Sequence, residues 1–280
     1  YGVYAPGNYY ANITFESNFF ENVFTGIYKQ RTEGLFFYNN NFTDVNSGIY
    51  IDTTYYDYTN YFIEFINTSF DGKYALSYEN QEDIVIEGNN VSSVFLKNVT
   101  GAVINNLNTN NTNFAISILN SSNIVINNSN FEAAEAFENG HSYADYERYM
   151  VILYSDNVIF ANTNITNNDP LYRATGIFVG DGSENIVFDN INLTNFNYGL
   201  DNFRAYAETS NNITIKNSYF GYPTKDGEVI LIHLGNLENF TLANNKIYNG
   251  NIGMALRSNN AKFEHLRNFD IYNNTIDSER

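Results

Sequence analysis

The 280-residue chain has no cysteine, no tryptophan, three prolines and only 14 basic residues against 31 acidic ones. Without cysteine there is no disulfide scaffold and no thiolate metal site; the redox compartment stays open, because a large surface protein can do without either. The shortage of Lys and Arg, with a formal net charge of -17 and a pI near 4.4, leaves no basic patch to neutralise phosphates. Nucleic acid and anionic membranes are therefore poor partners for such a surface, and cations and sugars suit it better. No window of about 18 uninterrupted apolar residues occurs, so no membrane insertion is expected within this segment. Tyr1 opens the chain with no charged or apolar leader, which reads as a mature or excised segment whose signal peptide or anchor lies outside it.

What the chain has instead is asparagine, 51 residues of it, beside 43% apolar and 17% aromatic residues, enough for a sizeable core. The asparagines fall into a repeat. Copies aligned on the residue before the first apolar position have anchors at Asn12, Gly34, Phe62, Asp83, Gly101, Asn123, Asn157, Asn185, Asn212, Asn239 and Asn268, spaced 18 to 34 residues apart. One and three positions after the anchor stand two apolar columns, for example Ile124 and Ile126, Val158 and Phe160, Ile213 and Ile215. More polar or β-branched residues such as Val125, Thr214 and Asp270 separate them, the period-two signature of a strand with one buried face.

Five positions after the anchor come Ser17, Asn39, Asn67, Gly88, Asn106, Asn128, Asn162, Asn190, Asn217, Asn244 and Asn273. Asn tolerates the left-handed backbone that a sharp bend between strands requires, and stacked amides can bond from coil to coil, so the nine asparagines are expected to form a structural ladder. Three residues later a further apolar column runs from Phe20 to Ile276, with Thr109 its one exception. A third apolar stretch often follows, as in "GIYI" from Gly48 and "GIFV" from Gly176. Three short strands per period describe one coil of a parallel β-helix. The strongest helix candidate is the short "EAAEAFEN" from Glu132 to Asn139.

On these repeats the chain resembles the right-handed parallel β-helix family shared by pectin-lyase-like enzymes, phage tailspikes and adhesin-like surface proteins of methanogenic archaea. The resemblance covers essentially the whole chain and implies an all-β, single-stranded solenoid of about eleven coils over 1–280, with a long inserted loop at 132–149. The right-hand sense is implied by the family alone. Coils about 4.8 Å apart would give a rod of about 50 Å. "YGVYAPGN" reads as the third strand of a preceding coil and "NFDIYNNTIDSER" stops after the second strand of its own, with no cap at either end. Two partners are open on this reading: the rest of a longer solenoid, or copies of the chain stacked end to end.

Family enzymes resembling polygalacturonases carry clustered Asp with His and Arg-Ile-Lys-type segments. Here His141 sits in "NGHSY", and neither Asp-Asp nor Arg-Ile-Lys occurs, so no catalytic residue is assigned and an enzyme is not expected. The richest chemistry lies in the insertion, with Glu135, Glu138, His141 and Asp145. Tyr172 and Arg173 sit at the same place in the next coil, and these six residues could line one binding ridge for cell-surface glycans, or serve a carbohydrate-active enzyme. "VGDGSEN" around Gly182 is faintly like a calcium loop but lacks the alternating oxygen ligands, so a turn is expected, with no metal site and no cofactor. His233 in "VILIHLG" reads as a core or groove-facing histidine. The tyrosines between Tyr50 and Tyr61 can hold sugar rings or simply favour strands, and a carbohydrate-binding module is a further alternative.

Thirteen Asn-x-Ser/Thr triplets occur. Asn41, Asn90, Asn164 and Asn192 stand beside a buried column and therefore face out, making them the preferred glycosylation sites, followed by Asn12, Asn212 and Asn239. Asn67 and Asn273 would be inaccessible if the bend column points inward. The expectation is an extracellular, N-glycosylated structural or adhesive surface protein: a stalk segment, surface layer or filament component.

Overall fold

The computed structural model describes residues 2–5, 12–23, 25–30, 34–43, 47–52, 62–88, 90–112, 115–133, 147–168, 174–180, 182–202, 209–222, 230–235, 237–256 and 266–278. Among them every element is a strand. Consecutive coils pair in parallel, residue for residue: Ile124 lies on Ala102 and under Val158, Ile126 on Ile104 and under Phe160. The architecture is a parallel β-helix with three strands per coil. Each apolar column of the repeat becomes a stack of like side chains. Ile104, Ile126, Phe160, Phe188, Ile215 and Leu242 are all 0% exposed, and burying each stabilises the fold by roughly 1.5–3 kcal/mol. Where the column is aromatic, rings stack between coils, as in Phe15–Phe37 and Phe37–Phe65 at 5.2 Å and Phe20–Phe42 at 4.6 Å. Thr109 is buried in its apolar column, its hydroxyl 3.5 Å from that of Tyr149.

Corners are made by left-handed residues. The whole bend column has positive φ, from 49° to 57° at Ser17 and the nine asparagines and 102° at Gly88. From Asp83 onward the anchor column does too, at 53° to 57° for Asp83 and its asparagines. A left-handed residue puts two outward side chains in succession, so Asn127 and Asn128 both face out while Ile126 and Ser129 on either side stay buried. Hence the bend asparagines, Asn67 and Asn273 among them, are exposed, and the inward ladder lies one residue later. It consists of Asn40, Thr68, Ser129, Thr163, Ser218 and Asn245, all buried. All but Thr163, whose hydroxyl donates to the Ala161 carbonyl of its own coil, bond from coil to coil, as when the Ser218 amide donates to Asn245 Oδ1 at 2.9 Å.

The stack is not uniform. The strand Phe62–Ile66 does not pair with Glu82–Glu87, where the repeat would continue the sheet. Instead Ser69–Phe70 turns back antiparallel onto Lys73–Glu79 through Asp71 and Gly72, at φ 47° and 77°. Two left-handed residues in succession are what a two-residue hairpin requires. The second-strand sheet of the first three coils thereby runs into the third-strand sheet of the rest. Two cores result, a smaller one around Phe20, Phe37, Phe42 and Phe65 and a larger one from Ile84 to Ile247. Phe95, at 5.6 Å from Phe65, belongs to the smaller core, while its neighbours Val94 and Leu96 belong to the larger.

Candidate functional site

The outer surface carries two kinds of asparagine. In the corner columns many side-chain amides are tied to neighbouring coils: Asn190 Nδ2 donates to Asn162 Oδ1 at 2.8 Å, Asn67 Nδ2 to Asn39 Oδ1 at 3.2 Å, and Asn268 Nδ2 to Asn239 Oδ1 at 2.9 Å. The ladder is not asparagine throughout, since Asn217 Nδ2 reaches Asp189 Oδ1 at 2.8 Å and Asn106 Nδ2 reaches Glu87 Oε1 at 3.3 Å. Each such bond holds an exposed left-handed corner and commits the amide nitrogen.

The second kind opens the second strand of a coil. Asn108, Asn130, Asn164 and Asn192 follow one another in register, continued by Tyr219, Lys246 and Thr275. Asn164 is exposed and Asn192 half-buried, and neither amide has a side-chain hydrogen bond among the described residues. Asn41, in the equivalent position, uses only its Oδ1, which accepts from the Ser69 hydroxyl at 3.0 Å. Asn90 is exposed, with its backbone carbonyl accepting from the Tyr74 amide. Of the other three expected acceptors, Asn12 is exposed, whereas Asn212 Nδ2 is bonded to Asn185 Oδ1 and Asn239 Nδ2 to Asn211 Oδ1. Only amide nitrogen that is not engaged can take a sugar without breaking a corner.

One acid–imidazole couple stands apart. Asp201 and His233 occupy the same position in adjacent third strands, with Oδ1 and Nδ1 3.3 Å apart and side chains 2% and 3% exposed. The Tyr198 ring packs 5.6 Å from the imidazole. No saccharide can reach a carboxylate that is 2% exposed, so the couple belongs to the packing of the third strands. His233 is thus the buried histidine the sequence suggests.

Two further groups have shifted proton affinities that follow from their positions. Lys73, just after the hairpin, donates from Nζ to the Asn108 carbonyl at 2.8 Å; burial lowers its pKa and the charge of Glu132 partly opposes that. Tyr38 donates its hydroxyl to Glu64 Oε2 at 2.7 Å, and that bond, then burial, then the charges of Glu64 and Glu16 raise its pKa.

Glu135, Glu138, His141, Asp145, Tyr172 and Arg173 lie outside the described residues, as do Tyr55, Tyr56, Tyr58 and Tyr61 and all but the first two residues of the helix candidate. Those two, Glu132 and Ala133, end the strand Asn130–Ala133. Among the described residues no group of three or more His, Asp and Glu is placed to hold a metal ion. Gly182 is a turn residue at φ 64°.

No profile of a known protein family and no curated protein matches the sequence. Solved structures do resemble the fold. The surface adhesin PfbA of Streptococcus pneumoniae matches at 12% identity and a TM-score of 0.38, over 91% of this chain and 72% of that one. The periplasmic alginate epimerase AlgG matches at 11% and 0.37, over 98% and 78%. Tailspike protein 2 of the Escherichia coli O157:H7 bacteriophage CAB120 matches at 13% and 0.34, over 96% and 34%. Scores this low leave function to be argued from the residues themselves.

Proposed function

We propose that this chain is an extracellular structural or adhesive surface protein, N-glycosylated on the outer face of its second strands. The observation that supports the reading most is a difference among the surface asparagines: several corner residues, such as Asn190 and Asn268, donate Nδ2 to a neighbouring coil, whereas Nδ2 of Asn41, Asn90, Asn164 and Asn192 donates to no described residue. A glycan there costs no coil-to-coil bond, and it covers an acidic, strand-rich surface without altering the core. Tyr219, next after Asn192 in the column and 36% exposed, offers an apolar ring for the first sugar to lie on. No catalysis is needed for this role.

Glycopeptide mass spectrometry of native material tests it. Glycans on at least some of these four residues, and none on Asn212 or Asn239, are expected. Four bare asparagines would overturn the reading. Polysaccharide cleavage lost on Glu135→Ala or Glu138→Ala would replace it with an enzymatic one.

A further inference from the structure

We propose that Lys73 and Asn108 form an intramolecular amide cross-link, in which lysine Nζ becomes bonded to Asn108 Cγ and ammonia is lost. The proposal does not depend on the glycosylated-surface reading.

The irregularity in the coil stack sets the place. Asn108 opens the strand Asn108–Thr112, which among the described residues pairs only with Asn130–Ala133. The preceding second-strand position, Val91, opens Val91–Lys97, which runs in the third-strand sheet instead. The lower edge of Asn108 therefore meets a side chain rather than a strand. Lys73 Nζ donates to the Asn108 main-chain carbonyl at 2.8 Å. That carbonyl and the carboxamide belong to one residue, and the flexible four-carbon stem of lysine lets the amine swing from one to the other.

The groups around the amine fill the roles the reaction needs. Asn108 Oδ1 accepts from Asn130 Nδ2 at 3.2 Å, a bond that draws electrons away from Cγ. Nδ2 of Asn108, the leaving group, donates to no described residue. Asn130 is the poorer target, because its own Nδ2 is held twice, by Asn108 Oδ1 and, at 3.1 Å, by Glu132 Oε1. Lys73 gives up its proton more readily than an exposed lysine, since burial lowers its pKa, an effect that the charge of Glu132 partly opposes. Glu132 thus stands beside both partners, one hydrogen bond from the carboxamide pair and close enough to act on the amine.

The neutral amine adds to Cγ, and Glu132 takes the proton that Nζ releases. Glu132 then returns it to Nδ2 as the Cγ–Nδ2 bond breaks and ammonia leaves. Nothing is oxidised or reduced. Holding the two groups together supplies the effective concentration that a free amine and amide lack in water. The link closes a 35-residue separation and ties the hairpin, held by two residue pairs, to a strand whose neighbour Leu107 lies in the larger core.

Intact-mass analysis and tryptic mapping of the 280-residue chain, made in a host without N-glycosylation and incubated at neutral pH, test the proposal. A mass one ammonia below that of the sequence is expected, with cleavage after Lys73 lost and peptide 32–97 joined to 98–148. Lys73→Arg keeps the charge and a donor for the Asn108 carbonyl, but its guanidinium stays protonated and is no nucleophile. It should retain the full mass. Glu132→Gln should slow the loss of ammonia roughly 100-fold or more. A wild-type chain that keeps its full mass and is cleaved after Lys73 would overturn the proposal. So would ammonia loss to the same extent in Lys73→Arg, which would mean a succinimide elsewhere, or an unchanged rate in Glu132→Gln.

Discussion

Asn245 places both of its donors on one oxygen, Oδ1 of Asn274, while its own Oδ1 accepts from the Ser218 amide at 2.9 Å and its Nδ2 also reaches the Ile215 carbonyl at 3.0 Å. At 1% exposure it links three coils without solvent. Asn245→Leu keeps the volume but strands the Ser218 amide and the Ile215 carbonyl, at a cost of about 1–3 kcal/mol for each buried group left unsatisfied. Asn245→Asp retains an acceptor for Ser218 but faces the Ile215 carbonyl with a carboxylate, and should recover stability as pH falls and the acid is protonated. Urea unfolding of both variants, the second at two pH values, checks this.

At the corners, the backbone angle rather than the amide dominates. Asn128 has φ 50°, a conformation in which a β-branched side chain clashes with its own backbone. Asn128→Val should destabilise by about 1–2 kcal/mol. Asn128→Gly should be nearly neutral, as Gly88 already stands in this column. A valine variant as stable as the glycine variant would show that the corner can flatten.

Much of this fold is legible in the residues because the same strand is spelled repeatedly: Ile126, Phe160 and Phe188 form one buried column in space as they do in the alignment. The direction of the corners is not, since a left-handed residue adds a second outward position and moves the buried polar ladder from Asn128 and Asn244 to Ser129 and Asn245, one residue later. Asp71 and Gly72 do spell a two-residue hairpin, but inside an apparent repeat that signal reads as a loop. The meeting of Asp201 with His233 has no pattern at all. Third strands follow insertions of varying length, so their register is settled only when the coils stack.

Core packing should be unforgiving within the larger stack. Phe188 is 0% exposed, with its ring 5.4 Å from that of Phe160 and with Ile215 following it in register. Neighbouring coils are held apart by backbone hydrogen bonds and cannot collapse into a vacated site. Phe188→Ala is expected to cost about 3–5 kcal/mol, near the upper end for such truncations, whereas Phe188→Leu should cost clearly less. Equilibrium denaturation of the pair measures the difference.

The bond from Tyr38 to Glu64 makes a contribution to stability that is lost in alkali. Its pKa is raised above the ordinary 10.0, chiefly because the neutral phenol donates to the Glu64 carboxylate, with burial and nearby negative charge adding to the effect. The folded state therefore holds this proton to higher pH than the unfolded state does. Stability from it is fully present below the unfolded tyrosine pKa, falls as pH rises through the folded pKa, and is absent above. Tyr38→Phe should be less stable than the parent at neutral pH, with the gap closing in alkali as the parent tyrosine ionises. Denaturant midpoints for the two proteins across that range check it, and a gap that stays constant through alkaline pH would mean that the hydroxyl contributes nothing through its proton.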